Sequence, residues 1–111
     1  MMQNRTHTCG ELRAEHAGQH VQICGWMENI REVSANLAFL VLRDFYGTTQ
    51  VVVESEEMNR VVSELNKESV LCVKGTVRER SSKNPNMPTG DIEVVPESIE
   101  VLGRCRYNAL P

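Results

Sequence analysis

The sequence predicts a small all-β domain, a five-stranded barrel with a short N-terminal helix and a longer helix between strands 3 and 4. A hairpin is written into N-L-A-F-L-V-L-R-D-F-Y-G-T-T-Q-V-V-V, Asn36 to Val53, where two extended runs flank a corner at Asp44 to Gly47. A helical stripe follows at once, with Met58, Val61, Val62 and Leu65 recurring at i, i+3, i+4 and i+7. The other apolar segments alternate with polar residues and are punctuated by Gly and Pro, as strands are. At 111 residues the chain makes one domain with a core of its own.

In chain order, residues 1–7 read as a flexible N-terminus. Thr8 with Glu11 three residues on has the form of a capping box, which predicts a short helix ended by Gly18. Gln19 to Val33 is a long strand with Val21, Ile23, Gly25 and Met27 on one side and Cys24 and Trp26 on the other. Gly25 at its centre predicts a bulge or bend, which lets one strand serve two sheets. Ile30 to Asn36 is read as the following turn. In the hairpin, Phe39, Val41 and Arg43 share one side and Leu40 and Leu42 the other. Phe39 then either joins the core or stays, with Arg43 and Gln50, where a partner can reach it. Ser55 caps a helix running to about Asn66, with Glu57, Arg60, Glu64 and Lys67 toward water. Ser69 to Arg80 is the fourth strand, and S-S-K-N-P-N-M-P-T-G, Ser81 to Gly90, is a loop. Asp91 to Leu102 is the last strand, with Pro96 marking an edge, bend or bulge. This order of elements is that of an OB-fold barrel.

A formal net charge of −3 argues against gripping nucleic acid over the whole surface, but not against a local footprint. The acidic excess gathers in Glu54, Glu56, Glu57, Glu64 and Glu68, and Arg78, Arg80 and Lys83 form a compact basic group. No secretory leader is recognisable at the start, and no apolar run approaches a bilayer span, so a cytoplasmic chain is expected. Cys9, Cys24, Cys72 and Cys105 are widely separated with no C-x-x-C pair, which favours isolated reduced thiols over a disulfide or a metal site. His7, His16 and His20 near Cys9 lack the usual ligand spacing. No nucleophile, phosphate-cradling or dinucleotide motif is present. Asp91 and Glu93 are a carboxylate pair on one strand face, without a pocket to make them an acid and a base.

T-x-x-C-G-E-L-R at Thr6 to Arg13, H-A-G-Q-H-V-Q-I-C-G-W at His16 to Trp26 and F-L-V-L-R-D at Phe39 to Asp44 resemble, in register, one family. Q-V-V-V at Gln50 to Val53, G-T-V-R-E-R at Gly75 to Arg80 and T-G-D-I-E-V at Thr89 to Val94 extend the resemblance over nearly the whole chain. The family is the N-terminal anticodon-binding domain of bacterial-type aspartyl-tRNA synthetases, organellar enzymes included. The related asparaginyl and lysyl enzymes share the barrel, but C-G-E-L-R and C-G-W look aspartyl.

The resemblance implies an anticodon-recognition module, with 8–102 as the OB-fold domain and 103–111 as the start of a linker to an absent class II catalytic domain. ATP and Mg2+ would serve that domain, and no cofactor this chain. The implied partner is a tRNA anticodon stem-loop, with a homodimer in the full-length enzyme and neither membrane nor DNA involved. Carried over by motif, Phe39 stacks under the middle uridine, Gln50 reads it and Glu93 reads a neighbouring base. Glu93 is expected at the surface while Ile92 and Val94 anchor the barrel. Arg31, Arg78 and Arg80 contact stem or backbone, and Asn84 is a loop contact. E-N-I-R-E, Glu28 to Glu32, departs from the family's consecutive arginines, so phosphate attraction should be weaker. A competing expectation is a structural or protein-binding OB module, its hairpin and Pro-containing loop contacting another protein. Exposure of Phe39 and Gln50 beside Arg78 favours RNA; burial of all three favours the structural role.

Overall fold

The first strand, β1 (His20–Ser34), is long enough to belong to two halves of a barrel. In the computed structural model of the chain, which describes residues 5–103, His20 to Trp26 pair antiparallel with β4 (Val70–Glu79) and Trp26 to Ser34 with β2 (Leu37–Asp44). A hairpin joins β2 to β3 (Gly47–Val53), β3 pairs in parallel with β5 (Ile92–Gly103) at Val51 and Val94, and β5 pairs antiparallel with β4. The order β1-β2-β3-β5-β4 closes on itself into a barrel. Period-2 alternation sends Val21, Ile23, Met27, Leu40, Leu42, Val51, Val73 and Val94 into one core.

The bend of β1 is built differently from the expected bulge at Gly25. A side chain on Gly25 would run into the Arg43 carbonyl, so glycine is there for close backbone approach, and the register shifts farther along, between Met27 and Asn29. Ile30 to Ser34, expected to turn, stay in the strand and pair with β2.

The hairpin corner is tied by Asp44. One carboxylate oxygen accepts the Tyr46 and Gly47 N–H groups at 2.8 and 3.1 Å, and the other accepts the Cys9 N–H at 2.9 Å. Gly47 has φ +152°, a conformation glycine tolerates best. These bonds also correct the N-terminal reading. The capping-box contact forms, with the Thr8 N–H donating to Glu11 Oε1 at 2.8 Å, but no helix follows it. Cys9 and Gly10 are instead held flat against the hairpin corner, and the short helix is a 3-10 turn at Ala14–His16. Thr6 is not loose either, since its N–H donates to the Gln22 carbonyl at 2.8 Å and its hydroxyl accepts from the Gln22 N–H. Residues 1–4 and 104–111 lie outside the described residues.

Between β3 and β4 runs α1 (Glu56–Ser63), capped by the Ser55 hydroxyl, which accepts from the Met58 N–H. Val62 and Leu65 enter the core and Met58 packs on it, but Val61 is exposed. Asn59 is buried in its place because its amide donates to the Ser34 and Ala35 carbonyls at 2.9 and 2.8 Å, fastening α1 over the β1–β2 turn. Pro96 sits at a register shift opposite Gly75, so that of the edge, bend or bulge its sequence position allowed it marks the bulge.

The thiols overturn the expectation of isolated cysteines. Cys24 and Cys72 stand directly opposite each other on β1 and β4, Cα atoms 4.1 Å apart, and form a disulfide. Chain spacing could not show this, because strand register alone brings the two together. Cys9 is free and buried, and Cys105 lies outside the described residues. Reduction of the bridge should lower the unfolding free energy by about 2–4 kcal/mol, and a Cys24→Ser/Cys72→Ser double variant should lose all response to reductant in a denaturant titration. An unchanged midpoint on reduction would show that the bridge contributes nothing.

Burial, and then the Asp44 carboxylate, push the Cys9 thiol above its ordinary range. A group whose folded pKa is raised contributes stability below its unfolded value and loses it above. Urea midpoints should therefore fall as pH rises past about 8.5, and the fall should be shallower in Cys9→Ala. Parallel profiles for the two proteins would show that Cys9 does not titrate with unfolding.

Candidate nucleic-acid interface

The outer face of β2 and β3 carries two rows of side chains. The first crosses three strands: Arg31 on β1 is the register partner of Phe39 on β2, which in turn faces Val52 on β3. The Arg31 guanidinium lies 4.9 Å from the Phe39 ring centroid, a cation–π contact, while Val52 is buried beneath the row. Phe39 is half-buried and points away from the core that Ala38 and Leu40 enter, which settles the alternative left open by its sequence.

The second row spans four strands. Val41 pairs with Gln50, and the Gln50 amide donates to Glu93 Oε1 at 3.2 Å. Glu93 is the register partner of Arg78, whose guanidinium donates twice to Glu93 Oε2, at 2.9 and 2.7 Å, and once to Glu54 at 3.1 Å. These carboxylates hold the Arg78 guanidinium in its charged form, the bond to Glu93 foremost. The Glu93 side chain is 10% exposed and that of Arg78 45%. Glu93 does face away from Ile92 and Val94, but the surface-presented acid the sequence suggested is a covered anchor. Its bond takes up the Gln50 NH2 and leaves the amide carbonyl oxygen of that side chain as an acceptor. Asp91 is exposed and apart from this network, so the two acids do not act as a pair.

The remaining residues lie at the end of β4 and in the loop. Arg80 is fixed through its backbone N–H, which donates to the Asp91 carbonyl at 2.9 Å. Lys83 meets Glu79 at 3.8 Å. The compact basic group is therefore largely offset by carboxylates. Asn84 shapes the β4–β5 loop, its side-chain oxygen accepting the Asn86 N–H at 3.0 Å, which leaves its NH2 as the available donor. Sequence reasoning missed Glu54 and the ion pair of Arg43 with Glu28, because neither separation follows a helix or strand period. Among the described residues, no group of three or more His, Cys, Asp or Glu is placed to hold a metal ion.

A half-buried aromatic on the outer face, a glutamine amide bonded to a carboxylate and a cation beside each row suit a flat, hydrogen-bonding ligand. Residues 21–102 match the family described as OB-fold nucleic acid binding domain, and the chain belongs to it. The chain is also similar to a short stretch of aspartate–tRNA ligases. It is 52% identical over 101 residues to the aspartate–tRNA(Asp/Asn) ligase of Thermotoga maritima, covering 88% of this chain and 17% of that protein. Against the human mitochondrial aspartate–tRNA ligase the identity is 44% over 108 residues, 92% of this chain and 16% of that one. The asparaginyl-tRNA synthetase structure of Pyrococcus horikoshii superposes with a TM-score of 0.76 at 29% identity, over 95% of this chain and 24% of that one. The chain thus spans about a sixth of the length of the ligases it matches.

Glu93→Gln removes the charge that holds Arg78 and leaves one acceptor oxygen where two serve Gln50 and Arg78. With Arg78 half in water, the expected stability loss is only about 1 kcal/mol. Discrimination between two stem-loops differing at one anticodon base should narrow, measured as the ratio of their Kd values at one salt concentration. An unchanged ratio in a folded variant would reduce Glu93 to a structural ion pair.

Proposed function

We propose that this chain recognises the anticodon loop of an aspartate tRNA, so that a class II catalytic domain elsewhere in the parent ligase attaches aspartate using ATP and Mg2+. The observation that carries the reading is the Gln50–Glu93–Arg78 network beside the Arg31–Phe39 pair, on a family barrel that binds nucleic acid. Single-stranded loops are read by splaying bases onto aromatic rings and bonding their Watson–Crick edges. Phe39 supplies the ring, and the amide carbonyl of Gln50 accepts the imino N–H of a uracil lying on it. Glu93 fixes that carbonyl and reads a neighbouring base through Gln50 and Arg78. Arg31, Arg78, Arg80 and the Asn84 NH2 serve phosphates and loop edges. Duplex DNA suits neither the net charge nor a face this narrow.

The module works in the cytoplasm as part of a homodimeric ligase. No helix among the described residues is long and apolar enough to cross a membrane. The choice of an aspartate ligase over an asparagine or lysine one is supported by the relatives of Thermotoga maritima and human mitochondria, the first of which is named for both aspartate and asparagine tRNA.

An anticodon stem-loop with a central uridine should bind weakly and with strong salt dependence, and Phe39→Ala should cost about 1–3 kcal/mol of binding. Fluorescence titrations against the same loop with the uridine replaced check this. Equal affinity for both loops would sink the base readout, and no binding at low salt would sink the RNA role of this chain.

A further inference from the structure

We infer that Glu54 governs access to Arg78: it occupies the guanidinium while the face is empty, and a phosphate of the bound RNA takes its place. The inference rests on the anticodon-loop reading and adds a residue that opposes binding to those that support it. Arg78 stands between two carboxylates that hold it unequally. Glu93 accepts two of its bonds, at 2.9 and 2.7 Å, on a side chain 10% exposed, and its other oxygen accepts from Gln50. Glu54 accepts one, at 3.1 Å, on a side chain 46% exposed. A covered acid with several charge-assisted bonds stays in place, whereas a half-exposed ion pair contributes little and exchanges partners easily. Of the two, Glu54 is the one an incoming anion displaces.

The backbone puts Glu54 where such an anion arrives. Gln50 and Val52 lie on the outer side of β3, Val52 opposite Phe39, and Glu54 follows directly past the end of the strand. Ser55 after it caps α1, and its carbonyl accepts the Asn59 N–H at 2.8 Å. The main chain is thus fixed on both sides of Glu54, and displacing its carboxylate takes side-chain rotation alone. An RNA loop that spreads its bases over Phe39 and Gln50 brings phosphates to this border, because each base comes with a phosphate one sugar away.

Charge decides the sign of the effect. Glu54, Arg78 and Glu93 set one positive charge against two negative, so the closed cluster repels a phosphate. With Glu54 turned away, the guanidinium offers N–H donors to phosphate oxygens, a pairing it makes well, and Glu93 still holds it in position. Binding therefore includes breaking the Glu54 pair, whichever base is present. A uniform penalty leaves the ratio between two loops unchanged, yet it keeps a loop with poor base contacts unbound at concentrations where a good one binds. Glu93 has the opposite character, for its loss is expected to narrow that ratio.

Wild type, Glu54→Gln, Glu57→Gln, Arg78→Gln and the Glu54→Gln/Arg78→Gln double variant test this by titration with a central-uridine anticodon stem-loop and with the same loop lacking that uridine. Glu57 is an exposed acid of α1 outside the cluster, so its variant reports what the loss of any nearby negative charge does. At low salt Glu54→Gln should tighten both loops by about 2- to 5-fold with their Kd ratio unchanged, and Glu57→Gln should tighten them less. In the Arg78→Gln background the gain from Glu54→Gln should shrink to the Glu57→Gln level. Wild-type or weaker affinity of Glu54→Gln, a gain matched by Glu57→Gln, or a gain that survives Arg78→Gln in full overturns the inference, and a weaker affinity makes Glu54 a support of Arg78 instead. The anticodon reading stands in those cases if the wild type prefers the central-uridine loop. A gain through Arg78 without any preference between the loops keeps the Glu54 role and sinks the base readout, and no binding of either loop by any variant sinks both.

Discussion

The double membership of β1 is the constraint on which the rest depends. Its first half must reach β4 and its second half β2, so the strand has to bend and slip register within a few residues. Gly25 lets the Arg43 backbone come close, and the shift after Met27 turns the second half toward the hairpin. Closure follows from that bend, and closure is what gives a domain this small one enclosed core. The disulfide lies on the same seam, joining the first half of β1 to β4 just before the strand changes partners.

A barrel closed in this way has one surface free to specialise. Alternation commits the inward residues to packing, so the outward ones on β2 and β3 are released from it, and covalent chain order decides which neighbours they meet. Here β5 enters beside β3 in parallel, which delivers Glu93 next to Gln50, while β4 delivers Arg78 next to Glu93. The ion pair is half-exposed and contributes little to stability by itself. Its consequence is orientation: a fixed carboxylate leaves the glutamine amide one favoured pose, and a preorganised polar group discriminates better than a rotating one.

The same economy explains the N-terminal segment. It adds no strand and hardly any helix, yet Cys9 is wholly buried and Thr49 donates its hydroxyl to the Cys9 carbonyl at 2.5 Å. Asp44 serves both the hairpin corner and this segment, so the corner that carries Tyr46 is braced from behind. A loop held by buried charge-assisted hydrogen bonds keeps its shape in the absence of a ligand.

Much of this was legible in the sequence, for a physical reason. The five strands, the helix between the third and fourth, and the inward and outward sides of β2 follow from local periodicity, which a short window of residues contains. Phe39, Gln50, Arg78 and Glu93 come to one outer face through the alternation of their strands. What local pattern could not supply was every fact that depends on register between distant segments. The Cys24–Cys72 bond, the burial of Glu93 under Arg78 and Gln50, and the exchange of Val61 for Asn59 on the buried side of α1 each arise where strands or a turn arrive from elsewhere in the chain. The capping-box contact at Thr8 formed as written, yet tertiary bonds to the hairpin corner denied it a helix. Periodicity and turn chemistry belong to neighbouring residues and so were present in the sequence by itself; partner choice across the barrel belongs to closure, and only the tertiary structure decided it.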